Sequence, residues 1–139
     1  MTGVEALLYY VLLMIGLVLI YAGQRIPLAL LGKKPIQNWT RGQANDDPGF
    51  VVRAQHAHAN TVENLPLFAA VVLAASLLDR SNVVDAVAVY ILGARVAQVA
   101  MHLIGTSFIL IMMRATFFLV QIGLIGYVAW QLLCPVAAA

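Results

Sequence analysis

Between Arg53 and Asn64 the chain reads RAQHAHANTVEN, and runs directly into the apolar stretch that follows. At about 100° per residue, Arg53, His56, Asn60, Glu63 and Asn64 share an arc of about 100°, while His58 falls on the far side. Further along, Arg95, Gln98 and His102 follow i, i+3, i+7 spacing, and Arg114 and Gln121 are seven apart. Guanidinium, imidazole and amide groups in excess over one carboxylate suit the holding of a small anionic molecule. Two readings stay open on these residues alone. In one, Glu63 neutralises Arg95 or Arg114 and the group is a structural ion-pair network. In the other, the surplus of cations forms an anionic-ligand site.

Other chemistries find little support. His56 and His58 are two apart and face opposite sides of a helix, which is wrong for a shared metal ion, and no HExxH pair occurs. No metal site is expected. There is no GxSxG elbow, no Gly-rich phosphate loop and no basic stripe of the kind that binds nucleic acid. Cys134 is the only cysteine, so an intrachain disulfide is excluded.

The elements that must position these residues are membrane spans. Of 139 residues, 63% are hydrophobic and 10% charged, against about 45–50% and about 25% in soluble domains. A span needs about 20 mostly apolar residues. Four are expected, at about 4–24, 49–78, 83–104 and 107–133, forming one domain over residues 1–139. The first lacks the basic start of a secretory signal, and its apolar run is too long for a signal core. Short connectors make the second, third and fourth spans antiparallel neighbours. Pro66 predicts a kink in the second span. His58 reads as structural or interfacial, and Asp79, Arg80 and Asp85 as an exposed connector.

Residues 25–48 form the one sizeable polar loop. From Arg25 to Arg53 the basic residues are Arg25, Lys33, Lys34, Arg41 and Arg53, while the next connector has only Arg80. The positive-inside rule places this loop in the cytoplasm and both termini on the opposite side. The piece IPLALLG is too short to span and is expected along the interface. Arg95 and Arg114 then lie about 12–14 Å from the cytoplasmic ends of their helices, and Glu63 about 20 Å along its own. An arginine at mid-span costs about 2.5–3.5 kcal/mol on insertion scales, so two arginines and a glutamate at related depths must find partners.

These residues resemble a known family. His56-Ala-His-Ala-Asn60-Thr-Val-Glu63-Asn64, followed by Leu-Pro66-Leu-Phe68, is similar to the second-helix signature of the MAPEG family, the membrane-associated proteins in eicosanoid and glutathione metabolism. Asn60, Glu63 and Pro66 match the pattern, and Arg53 matches a further basic position. Ala94-Arg95-Val-Ala97-Gln98-Val-Ala-Met-His102 is similar to the third-helix segment, with Gln98 in place of a histidine and His102 in place of a tyrosine. Arg114 falls where the family carries the arginine that activates the glutathione thiol. His56 stands where the signature has arginine, Ala59 at a site often basic in prostaglandin synthase-like members, and Phe118 in place of a tyrosine.

The resemblance implies an all-α, four-transmembrane-helix bundle assembled as a homotrimer, in the manner of a bacterial member in the inner membrane. It implies glutathione as co-substrate, bound between protomers and open to the cytoplasm. On that reading Arg53, His56 and Arg95 hold carboxylates, Glu63 takes the α-ammonium, Asn60 meets the peptide amides, and Gln98 and His102 complete the site. Arg114 is the catalytic residue that stabilises the thiolate. The activity implied is glutathione transfer or peroxidation on a hydrophobic electrophile or lipid hydroperoxide, with Phe117 and Phe118 beside its approach from the membrane lipids. Two alternatives remain: a non-catalytic lipid-binding scaffold, as in the family's lipoxygenase-activating branch, and a small polar-lined transporter, which the apolar first span disfavours.

Overall fold

The computed structural model describes residues 1–40 and 46–134. It contains four long helices, α1 (Gly3–Leu30), α2 (Gly49–Leu77), α3 (Ser81–Ile104) and α4 (Phe108–Leu133), with a short 3-10 turn at Ile36–Trp39. All four are long and apolar enough to cross a membrane.

Each helix begins and ends for a local reason. Thr2 and Glu5 form a reciprocal capping box at the start of α1, satisfying amides that have no partner within the helix. The Ser107 side chain accepts from the Leu110 amide and starts α4. Past the end of α1, Gly32 takes φ +65°. The Lys33 amide there reaches back to the Leu28 carbonyl, and the Gly32 amide to Ala29, both at 3.0 Å. This is a Schellman stop, which favours glycine because it has no Cβ to clash. α2 stops the same way, but with Asp79 at φ 52° in the glycine position. The Arg80 amide bonds the Ala75 carbonyl at 2.8 Å and the Asp79 amide bonds Ser76 at 3.3 Å.

Two sequence expectations are corrected here. α1 does not end near residue 24 with IPLALLG lying separately on the interface. It runs on through Pro27 to Leu30, a length of about 42 Å that exceeds the roughly 30 Å hydrocarbon core. Nor is the 79–85 segment merely an exposed connector. Arg80 donates to the Leu132 and Cys134 carbonyls at 3.1 Å each, tying α4's last turn. Asp85 accepts from the Gly3 amide at 2.6 Å, tying the start of α1 to α3. A Cβ at Gly3 would sit 2.6 Å from Val84 Cγ1, so the approach there requires glycine.

These ties place the N-terminus, the α2–α3 connector and the end of α4 at one end of an antiparallel bundle. The 31–48 connection and the α3–α4 link lie at the other, hereafter the connector end. α3 packs against the other three helices. The main apolar core occupies the far end, where Ala6, Phe68, Val72, Ala75, Val84 and Ala88 are buried together. Small residues let the backbones approach closely, which is how helices gain packing where lipid removes the hydrophobic drive. At the connector end the apolar cluster shrinks to Leu17, Ala57 and Val99, with Leu13, Ile20 and Leu103 against it.

The connection itself is tied down. Arg25 donates to Asp47 and Gln55, and its guanidinium lies 5.3 Å from the Tyr21 ring centre and 5.8 Å from that of Trp39. Lys34 pairs with Asp46 at 2.7 Å, and this hydrogen bond holds the Asp46 carboxyl below its ordinary range. Arg41, counted above in the basic loop, lies outside the described residues.

Candidate functional site

Of the polar residues singled out in the sequence, Arg53, Asn60, Arg95, Gln98, His102 and Arg114 lie toward the connector end, in partnerships that no single helix reveals. Asn60, half-buried on α2, is their centre. Its side-chain oxygen accepts from Arg95 Nη1 at 2.6 Å and from Gln98 Nε2 at 3.1 Å, both on α3. Arg95 is fully buried and Gln98 nearly so. One carbonyl receiving two donors leaves the Asn60 carboxamide no freedom to flip. Its Nδ2 has no partner among the described residues and remains a donor that the group can offer.

Beside this triad stands a second pair. Arg114 Nη1, on α4, lies 3.1 Å from His102 Nδ1 on α3. An arginine has only donors, so in this bond His102 Nδ1 accepts and the imidazole is neutral at that nitrogen. His102 stands two turns along α3 from Arg95, on the same face, so the pair continues the line of the triad. Arg53 closes the group from α2, donating through Nε to the Leu103 carbonyl at 3.0 Å, next to the free end of α3.

Glu63 is exposed and has no ion pair; the ion pairs among the described residues join only Arg25, Lys34, Asp46 and Asp47. Among the described residues, therefore, Glu63 neutralises neither Arg95 nor Arg114. Instead Glu63 lines a cavity of about 540 Å³ between α1 and α2, with Tyr21, Gln55, His58, Ala59 and Val62. His58, on the face of α2 opposite His56, turns to α1 and its Nδ1 lies 3.3 Å from the Tyr21 hydroxyl. His56 is exposed.

One residue absent from the sequence reading, Tyr10, matters here, together with Gln121. Tyr10 on α1 is fully buried, and its ring centre lies 5.3 Å from the Arg95 guanidinium carbon. Its hydroxyl accepts from Gln121 on α4 at 3.2 Å. A hydroxyl and an amide in two apolar spans each need a partner, and pairing them on that ground was open to a sequence argument. An apolar depression of about 300 Å³ on the outer face of α3 and α4 includes Tyr90, Gly93, Thr116 and Phe117 but not Phe118.

A family model described as MAPEG matches residues 4–134, nearly the whole chain. The chain belongs to the MAPEG family. With its four apolar helices it is a multi-pass integral membrane protein. The MAPEG family includes glutathione transferases and peroxidases along with other members. No curated protein and no solved structure matches the chain. In this MAPEG chain the matching positions Asn60 and Arg95 touch each other, and the substituted positions Gln98 and His102 have each found a partner within the same cluster.

Proposed function

We propose that the protein is a glutathione-dependent transferase or peroxidase acting on hydrophobic electrophiles or lipid hydroperoxides at the membrane. The observation that carries this reading is Arg114. Its guanidinium is held by a neutral histidine at 3.1 Å and has no carboxylate partner among the described residues. A cation left without a counter-charge at that depth of a helix bundle is costly unless an anion visits it.

Glutathione has the complementary chemistry, with two carboxylates, an ammonium, two amides and a thiol. Arg53 and His56 take carboxylates by charge-assisted hydrogen bonds. Glu63 takes the ammonium at the edge of the 540 Å³ cavity, whose volume falls in the usual range for small-molecule sites. Asn60 donates through Nδ2, with Arg95 and Gln98 holding its oxygen. Arg95 is too deeply buried to meet a ligand directly, so in this reading it acts through Asn60. Arg114 stabilises the thiolate, and His102 aims it.

The magnitude is adequate. A thiol with pKa near 8.5 must fall by about two units to be mostly ionised at neutral pH, which takes about 2.7 kcal/mol. A full charge at about 4 Å and an effective dielectric of 20 supplies about 4 kcal/mol before desolvation. Phe118 brings no hydroxyl to help, so Arg114 carries the thiolate alone or with a group from a neighbouring copy.

A homotrimer completes the site. Glu63 and His56 are exposed on a membrane helix, and Glu63 lies about 21 Å into α2, where lipid contact is expensive. A neighbouring protomer covers that face and closes the cavity. The connector end faces the cytoplasm, as its basic residues require, and the membrane is a bacterial inner membrane.

The test is titration calorimetry of detergent-purified protein with glutathione, alongside an ultraviolet scan for thiolate and turnover of a chloronitrobenzene. Binding with thiolate absorbance and conjugation supports the reading. The second reading, a non-catalytic lipid-binding scaffold, is favoured by the apolar depression beside Phe117 and gives neither thiolate absorbance nor conjugation. The polar network also argues against transport. Among the described residues no buried polar side chain lies beyond Gln121 toward the far end, where Ile125 and Val128 follow it on α4.

A further inference from the structure

We infer that Tyr10 and Gln121 are positioning residues for the site: Gln121 holds Tyr10, Tyr10 carries Arg95, and Arg95 presents Asn60. What the site binds rests on the function proposed above; the positioning itself rests on geometry. The chain of contacts runs from α4 to α1 to α3 to α2. Gln121 Nε2 donates to the Tyr10 hydroxyl at 3.2 Å. The Tyr10 ring lies 5.3 Å from the Arg95 guanidinium carbon. Arg95 Nη1 donates to Asn60 Oδ1 at 2.6 Å. All four helices thus contribute to where one carboxamide sits.

Packing alone does not account for this choice of residues. Tyr10 belongs to the main apolar core and leans on Phe68, with ring centres 5.8 Å apart. Leucine or phenylalanine would fill that space without a hydroxyl to satisfy. Nor is the network tuned for stability. Arg95 Nε and Nη2, Gln98 Oε1 and Gln121 Oε1 are buried without a hydrogen-bond partner among the described residues. Such atoms are a cost that an apolar core avoids.

The physical role follows from the charge. Arg95 is fully buried and has no carboxylate partner among the described residues. Its stabilising contacts are the Asn60 oxygen on one side and Tyr10, both ring and hydroxyl, on the other. Cation–π attraction is strongest when desolvated, as here. Without the ring, a long flexible side chain loses the surface that confines it, and Asn60 loses its orienting donor. Gln121 fixes the direction of the ring axis, because the hydroxyl oxygen it holds lies on that axis.

The experiment compares Tyr10→Leu, Tyr10→Phe, Gln121→Leu and the packing control Phe68→Leu. Phe68 touches the Tyr10 ring and belongs to the apolar core rather than to the polar cluster. Two readouts are taken on full-length protein in detergent: the Arg95 Nε–H resonance in protein labelled with nitrogen-15 arginine, without ligand, and the affinity and turnover with glutathione. Tyr10→Leu is expected to move or broaden the Arg95 resonance and to weaken glutathione binding by about thirtyfold, with turnover at saturation little changed. Tyr10→Phe and Gln121→Leu both remove the Gln121–Tyr10 hydrogen bond and are expected to give small shifts, the larger in Tyr10→Phe, which also takes the hydroxyl from beside Arg95. Their combination is expected to go no further than Tyr10→Phe alone. Phe68→Leu leaves the resonance in place.

An unmoved Arg95 resonance in Tyr10→Leu overturns the inference, and so does an equal change in Phe68→Leu. If Tyr10→Leu does not fold, the pair Tyr10→Phe and Gln121→Leu decides, and no shift in either overturns it. A resonance that responds as expected in a wild-type protein that binds no glutathione supports the positioning and removes the proposed function. Binding that is normal in wild type and unaltered in Tyr10→Leu removes the inference and leaves the function standing.

Discussion

At the far end of the bundle, alanines and branched residues from all four helices close on one another, and Asp85 and Arg80 spend their charges on helix ends. At the connector end only a few apolar residues pack together, and between them lie Arg53, Asn60, Arg95, Gln98, His102 and Arg114. The same four helices therefore do two jobs along their length. One half supplies packing. The other gives up packing for a cluster with more cations than anions, several of whose buried polar atoms have no partner among the described residues. Stability and the proposed chemistry are separated along the bundle axis, with Tyr10 and Gln121 at the boundary.

That separation can be broken experimentally. The largest effect is expected from Ile91→Ala, at a fully buried position of the main apolar core. It should cost about 3 kcal/mol of stability, the lower part of the core-truncation range, because in lipid the loss is mainly packing. Denaturant unfolding in detergent measures this, and glutathione affinity of the folded protein should hold within about twofold. An affinity loss in proportion would mean that the two halves are not independent. Arg114→Ala should do the reverse. Turnover should fall about a hundredfold, the equivalent of two pKa units, while unfolding stays as in wild type; undiminished turnover would dispose of its assigned role. Asn60→Ala should weaken glutathione binding by about tenfold. Because Arg95 and Gln98 then lose a shared acceptor, it should also cost some stability, which makes it the one site residue read by both assays.

Smaller changes sharpen the comparison at the connections. Asp79→Gly should stabilise by up to about 1 kcal/mol, since Asp79 holds a positive φ that glycine adopts freely, with activity unchanged. A destabilisation there would show that the aspartate side chain does more than end α2. Asp46→Asn should have the least effect at neutral pH, because the pair with Lys34 is exposed. The sign of its pH dependence is fixed: the folded Asp46 carboxyl titrates below its ordinary range, so whatever the pair contributes is present at neutral pH and lost as pH falls through that lowered value. Acid melts of the variant and the wild type should converge.

Much of this was legible in the residues. Four apolar runs of membrane length, a polar second-span face and a third-span stripe place the helices and roughly the depth of the site. The family signature at Asn60, Glu63 and Pro66 is continuous in one helix and reads directly. The connector was harder. IPLALLG looked like a separate interfacial piece because it is too short to span, yet Pro27 sits inside α1 and the helix stops only just before Gly32, which takes φ +65°. Asp85 and Arg80 looked exposed because their partners are main-chain groups of distant helices, which carry no mark in a sequence.

The amino-acid order by itself determined which residues are forced into the membrane, and on which side of each helix they stand. Periodicity is a property of one helix, and one helix is enough to show it. Who meets whom was decided only by the tertiary structure. On a helical wheel Glu63 and Asn60 are near neighbours, and charge alone favours Glu63 as the partner of Arg95. The rotation and sliding of α2 against α3 instead brings Asn60 to Arg95 and turns Glu63 outward to a cavity. That relative placement depends on how whole helices pack, and the core they share draws residues from all four.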